Sequence, residues 1–224
     1  MNYSFQFGEV LAELPYLLGG ALVTLQIVFV AFFGGAMLGL FGALGKVYGP
    51  RSVQRGINAY VVFVTNTPAL VQIFVLYYAL PDAGILLDSM TAVVLALTLN
   101  SAAYLTEIIR AGVVSVRRTE VEAALTLNMG PVQILHHVLL PHIARTVFPP
   151  LSNFFIWLML GSSIAALFGV EELTGRAINV STANLRTIET FLVVAVIYVA
   201  LTLLASGALA FLGRRVFGVR ERLF

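Results

Sequence analysis

Long apolar runs separated by short polar stretches set the rhythm of this chain, at residues of about 16–44, 57–80, 89–109, 141–164 and 188–212. An α-helix rises about 1.5 Å per residue, so about 20 apolar residues cross the hydrocarbon of a bilayer. The runs therefore predict five transmembrane helices in an all-α polytopic membrane protein. No repeat of 20–50 residues is evident, and the chain reads as a single domain over 1–224. One interruption is different in kind, at 119–140. Thr119 followed by Glu122 matches a capping box and predicts a helix start. Asn128 tolerates the left-handed conformation that ends helices. Pro131 suits the first turn of a second helix. Leu135, Val138 and Leu139 give that helix an apolar stripe, and Pro141 is expected to end it before the fourth span.

Composition reinforces the pattern. The chain is 59% hydrophobic and 11% charged, with a mean hydropathy of +0.95, where a soluble domain is about 25% charged. Charge then orients the spans, because Lys and Arg are retained on the cytoplasmic side. Lys46, Arg51 and Arg55 follow the first run, Arg110, Arg117, Arg118 and Arg145 surround the interrupting segment, and Arg214, Arg215, Arg220 and Arg222 lie in the tail. These are all but Arg176 and Arg186 of the 13 basic residues. The other side holds Glu9, Glu13, Asp82, Asp88, Glu171, Glu172 and Glu189. The N-terminus is expected outside and the C-terminus inside, with two short helices of segment 119–140 on the cytoplasmic face. The opening "MNYSFQFGEVLAELP" has no basic residue, so the first run reads as a retained span and not a cleaved signal. The net charge of +2 gives no argument for nucleic-acid binding. Without cysteine, disulfides and thiolate metal sites are excluded.

Polar residues inside spans need a reason. Thr65, Asn66, Thr67 and Gln72 surround Pro68, whose kink frees a backbone carbonyl. Asn100, Ser101 and Tyr104 lie in the third run, and Asn153, Trp157, Ser162 and Ser163 in the fourth. All are candidates for lining a water-filled path for a zwitterion, with hydrogen bonding between helices as the alternative. Glu107 and Arg110 are spaced for an i,i+3 ion pair. Gly35 and Gly39 form a small-residue step, read as packing within the bundle in preference to a dimer seam. His136, His137 and His142 do not share a helix face, so no metal site is expected. "LFGALGKV" lacks the first glycine of a P-loop and the hydroxyl residue after Lys46, so nucleotide must be bound elsewhere. Glu171 and Glu172 are candidates for contacts with a docking protein, or simple solvated acids.

Glu122-Ala123-Ala124, then Asn128, then Val138-x-Leu140-Pro141 resembles the cytoplasmic loop signature E-A-A-x3-G-x9-I-x-L-P of ATP-binding-cassette importer permeases. "TPALVQIFVLYYALP", "LNSAAYLTEIIRAG" and "LFGVEELT" resemble the polar amino acid permeases in the same order. The resemblance implies a transmembrane subunit of the bacterial inner (cytoplasmic) membrane that passes a polar amino acid or related zwitterion by alternating access. Glu122, Ala123, Ala124, Asn128, Leu140 and Pro141 would couple it to cytoplasmic ATP-binding subunits. ATP and Mg would be held by those subunits, with no cofactor on this chain and no catalytic residue. An extracytoplasmic substrate-binding protein and a second permease subunit are the other implied partners. Three departures stand out: Asn128 for the loop glycine, Thr65-Asn66-Thr67-Pro68 for Arg-Gly-Thr-Pro, and Leu160-Gly161 for a Lys-Asp pair. The last two remove intramembrane charges and favour a heterodimer whose partner carries the charged contacts. A stand-alone secondary transporter would need an intramembrane carboxylate, for which Glu107 is the candidate. An intramembrane serine hydrolase using Ser162 or Ser163 would lack a histidine base within any span.

Overall fold

The computed structural model describes residues 4–218, so Arg220 and Arg222 lie outside the described residues. Among the described residues every regular element is helical: α1 (Phe7–Ala12), α2 (Leu14–Tyr48), α3 (Arg51–Thr65), α4 (Ala69–Phe74), α5 (Ser89–Val114), α6 (Arg118–Thr126), α7 (Pro131–Ile134), α8 (Leu140–Gly161), α9 (Leu173–Asn184) and α10 (Thr187–Leu212). Four stretches are long and apolar enough to cross a membrane: Leu14–Tyr48, Ser89–Val114, Pro131–Phe168 and Thr187–Phe217. A fifth crossing exists if the pair Arg51–Thr65 and Ala69–Ala83, bent by 105°, counts as one span.

The centre of the fold is the α2–α5 seam. A Cβ built on Gly35 would lie 2.5 Å from Ser101 Cβ and 3.1 Å from the Ala102 nitrogen. One on Gly39 would meet Leu105 Cβ at 2.9 Å and backbone at 3.0 Å. Only glycine lets the two backbones approach this closely, so the Gly35–Gly39 step serves packing within the chain. Because 35 meets 101 and 39 meets 105, the two helices run in the same direction. The intervening residues must then return the chain to the level at which α2 began, and only the bent α3–α4 pair is available to do so. Gly112 lies against Val147 and Tyr104 against Phe154 and Trp157, so α8 runs antiparallel to α5, while Gly213, just past α10, lies against Phe148. Ile27, Val93, Leu97, Leu105, Leu158 and Met159 fill the main core. A second cluster, including Leu17, Leu173, Ala177 and Val194, packs α9 under the starts of α2 and α10.

Several sequence expectations need correction. The second span is not one helix over 57–80; it breaks at 66–68, where Pro68 has no N–H to continue the ladder. The capping box does not form: α6 starts at Arg118 behind Arg117, whose backbone is extended and whose side chain caps nothing. Thr119 therefore sits inside the first turn, not at the N-cap. Pro141 does not end a second short helix either. Leu135–Leu139 is a π-turn, and its wider winding carries α7 through Pro141 into α8, giving one helical run from Pro131 to Phe168. Segment 119–140 thus contributes one free helix and the cytoplasmic extension of a span. Two elements between or before the runs, α1 and α9, have no counterpart among the predicted spans.

Candidate functional site

The end of α3 shows why this sequence breaks where it does. A helix terminus leaves four carbonyls without partners, and within a membrane no water can take them. Here successive side chains do. Thr65 Oγ1 donates to Val61 O at 2.7 Å, Asn66 Nδ2 to Val62 O at 2.7 Å and Thr67 Oγ1 to Phe63 O at 3.0 Å. Val64 O, to which Pro68 has no N–H to donate, receives Gln72 Nε2 at 2.9 Å beside Thr67 N–H at 3.4 Å and Thr67 Oγ1 at 3.3 Å. Gln72 Nε2 also reaches Thr67 Oγ1 at 2.9 Å, and its Oε1 accepts from Asn100 Nδ2 at 3.1 Å. Tyr104 OH points at Thr65 O at 3.5 Å. The donors of this polar cluster are thus largely committed to holding the broken helix.

Beside the break lies a cleft. A cavity of about 420 Å³ lies between α3, α4, α5 and α8, lined among others by Thr65, Asn66, Thr67, Asn100, Tyr104 and Trp157. Tyr104, Phe154 and Trp157 form an aromatic wall with ring centroids 5.6–5.9 Å apart. Asn100 is buried and its Oδ1 has no partner. A buried unpaired carbonyl is costly unless a passing solute or water uses it. The remaining candidates are placed elsewhere. Gln72 sits behind the break in a separate apolar recess. Ser101 is sealed in the α2–α5 seam. Asn153 is exposed on α8. Ser162 and Ser163 turn their hydroxyls back onto Met159 O and Leu160 O, at 2.8 and 2.9 Å.

At the end of the bundle where the basic residues gather, α6 packs against the start of the Pro131–Phe168 run. Its C-terminus closes as a Schellman turn: Asn128 has φ 57, its N–H donates to Leu125 O at 2.9 Å, and Met129 N–H donates to Ala124 O at 3.2 Å. Glu122 and Ala123 are exposed, whereas Ala124 is buried against the chain itself, so the shallow face read from the alanine pair is only half free. Leu125 and Leu127 lie open beside them, the latter 76% exposed. Leu140 is exposed and Pro141 lies in the first turn of α8. His142 anchors the segment, with Nε2 3.1 Å from Ser115 Oγ and Nδ1 3.4 Å from Glu120 Oε2. His137 Nδ1 instead faces Gln133 O at 3.0 Å. Among the described residues no three His, Asp or Glu side chains converge as metal ligands.

Carboxylates mark both ends. Glu107 Oε2 accepts from Arg110 Nε at 2.8 Å, and Glu107 Oε1 from Lys46 Nζ, which also donates to Asn58 Oδ1 at 3.1 Å. The lysine was not legible as a partner because it lies 61 residues away. At the opposite end Glu172 is not the outward-facing acid expected. It is fully buried and caps α9, accepting from Gly175 N at 3.0 Å, Thr24 Oγ1 at 3.0 Å and Tyr198 OH at 3.1 Å. Burial pushes its carboxyl above the usual glutamate range, against the pull of these donors. Glu171 does remain exposed, accepting from Asn179 Nδ2 at 3.2 Å.

Comparison with known proteins places this geometry. The family of binding-protein-dependent transport system inner membrane components matches residues 35–218. The glutamine transport system permease protein of Escherichia coli is 32% identical over 214 residues, 95% of this chain and 98% of the relative. The L-cystine transport system permease protein of Bacillus subtilis is 36% identical over 171 residues, 76% of this chain and 73% of its own length. A crystal structure of an amino acid ABC transporter with histidines superposes with a TM-score of 0.88 at 32% identity, covering 96% of this chain and 100% of that one. The MetNI methionine ABC transporter shares the fold, with a TM-score of 0.71 at 20% identity over 92% of this chain and 97% of its own.

Proposed function

The chain belongs to the family of binding-protein-dependent transport system inner membrane components, and from that premise we propose how its geometry moves a solute. The protein is a transmembrane permease subunit of an ATP-driven amino acid importer. The observation that carries the coupling role is α6, closed by the Asn128 turn with Glu122, Ala123, Leu125 and Leu127 uncovered. An apolar strip beside a carboxylate at the end of a helix bundle suits insertion into a groove of a cytoplasmic ATPase. Because α7 continues through the π-turn into α8, a displacement of this segment reaches the wall of the cleft through Trp157, by way of Pro149 and Pro150. ATP and Mg belong to the ATPase, and this chain makes no covalent bonds.

The bent α3–α4 pair is the fifth crossing in this reading, with the N-terminus outside and the C-terminus inside. The cleft takes the zwitterion: Thr65, Asn66, Thr67 and Asn100 line its path with neutral polar side chains, and the aromatic wall covers its side chain. No fixed charge lines the cleft, which favours a heterodimer whose second permease supplies charged contacts, with a binding protein delivering substrate from outside. The secondary-transporter reading loses its candidate, since Glu107 is already matched by Lys46 and Arg110. The substitution Glu122→Arg is expected to leave membrane insertion intact and to abolish substrate-stimulated ATPase activity in the reconstituted complex; unchanged coupling would refute the role of α6. Tagged purification with mass spectrometry tests the partners. Recovery of an ATPase with this chain as the sole permease would remove the heterodimer.

A further inference from the structure

At the end of the bundle away from the basic cluster, a carboxyl group is sealed in without a cation. Glu172 is 0% exposed, and no Lys, Arg or His among the described residues comes within ion-pairing distance of it. α2 closes over it: a Cβ on Gly20 would lie 3.0 Å from Leu173 Cα and 3.1 Å from the Glu172 carbonyl carbon. The charged groups of the surrounding elements are engaged elsewhere. On α9 itself Arg176 donates to Tyr16 O at 2.8 Å and to Glu171 O at 3.1 Å, with its guanidinium over the Tyr16 ring of α2. On α10 Glu189 lies 3.9 Å from Arg186 Nη1 and accepts from Gln6 N–H at 3.1 Å. Glu9 and Glu13, on and just after α1, line an open cavity beside Asn179. Tyr198 of α10 is the one titratable side chain that bonds to the Glu172 carboxyl. A carboxylate enclosed in this way is costly unless it takes up a proton or every lone pair is served.

Its partners can serve either form. Gly175 N–H donates to Oε1 at 3.0 Å whatever the charge. Oε2 receives two hydroxyls, Thr24 Oγ1 at 3.0 Å and Tyr198 OH at 3.1 Å. Each of these hydroxyls has a second acceptor within reach, Gly20 O at 3.2 Å for Thr24 and Thr174 Oγ1 at 2.9 Å for Tyr198. With the carboxylate ionised, both hydroxyls donate to Oε2. With Oε2 protonated, it donates to one of the two oxygens, and that hydroxyl turns its own proton to its second acceptor. The carboxyl and both hydroxyls keep their partners in either state, whereas a carboxyl held by N–H donors alone would have nowhere to direct its proton. We infer that Glu172, with Thr24, Thr174 and Tyr198, is a proton-binding site whose neutral form locks α9 between α2 and α10. Loss of the proton leaves a full charge in that seam and holds α9 less firmly. Burial raises the carboxyl above the usual glutamate range, so the folded chain binds this proton more tightly than the unfolded chain does. The resulting stability is complete below the ordinary glutamate range and is lost as pH rises through the folded value.

The test follows the full chain in mild detergent by thermal denaturation and by infrared spectroscopy, from about pH 5 to about pH 8. Across this range the wild-type midpoint is expected to fall by about 2–4 °C more than that of Glu172→Gln, an uncharged isostere. The infrared carbonyl band of a protonated carboxyl should fade in wild type as pH rises, and its titrating part should be missing from E172Q but kept in E189Q, which changes the other buried acid. Tyr198→Phe removes a donor to the ionised form while Thr24 can still accept from the neutral one. In that variant the band should persist to higher pH, which keeps the inference testable if E172Q folds poorly. The proton site is overturned if wild type and E172Q follow the same pH course, if the titrating band survives in E172Q, or if Y198F leaves its pH midpoint unchanged or moves it toward acid.

Discussion

Asn100 and Ser101 are adjacent in sequence, both are buried, and each carries a polar atom without a hydrogen-bond partner. Their surroundings could hardly differ more. Ser101 lies on the face of α5 that presses against Gly35, in a seam too tight for a methyl group. Asn100 lies on the face turned to Gln72 and the cleft, where the broken end of α3 has drawn polar side chains together. One face of α5 packs backbone against backbone and the other borders the cleft proposed to take the solute. A polar residue in a membrane helix is thus no sign of a path by itself; what lies opposite it decides.

The strongest way to break this comparison is to force the tight face apart. Gly35→Leu is expected to cost on the order of 3 kcal/mol, because the added side chain meets Ser101 and the α5 backbone and cannot be absorbed by a rotamer change. Thermal denaturation in detergent would show it as a large fall in midpoint. Gln72→Leu attacks the other face by removing one of the donors to Val64 O together with the acceptor of Asn100 Nδ2. The loss should be about 1–2 kcal/mol by the same assay, since several bonds fail together but each is modest within a membrane. A sharper contrast comes from the adjacent pair. Asn100→Leu is expected to leave protein levels unchanged while lowering amino acid uptake roughly tenfold, the value of one buried polar contact. Ser101→Ala should change neither uptake nor stability measurably, within about 0.5 kcal/mol. Equal uptake by the two variants would remove Asn100 from the path.

Much of this was open to reading from the chain. Apolar runs of membrane length are a property of consecutive residues, so Leu14–Tyr48, Ser89–Val114 and Thr187–Leu212 fall close to the predicted spans. The left-handed Asn128 is local too: a short polar side chain tolerates φ 57 at a helix end. Where the reading failed, a distant partner or a competing local geometry had decided. Pro141 looked like a stop because the chain carries no mark of the π-turn that accommodates it. Glu172 looked like a surface acid because its partners Thr24 and Tyr198 come from the first and last long helices.

By itself the sequence determined the membrane as solvent, the helical class and the coupling signature, because each depends on residues within a few turns of one another. The tertiary structure alone decided that α2 and α5 run parallel, that only Thr65, Asn66, Thr67, Asn100, Tyr104 and Trp157 among the polar candidates share one cleft, and that Glu172 is sealed among α2, α9 and α10. Hydrophobic runs fix which helices enter the bilayer. Which faces then meet is set by close packing and by the need to pair every buried polar group, and both are settled between helices far apart in the chain.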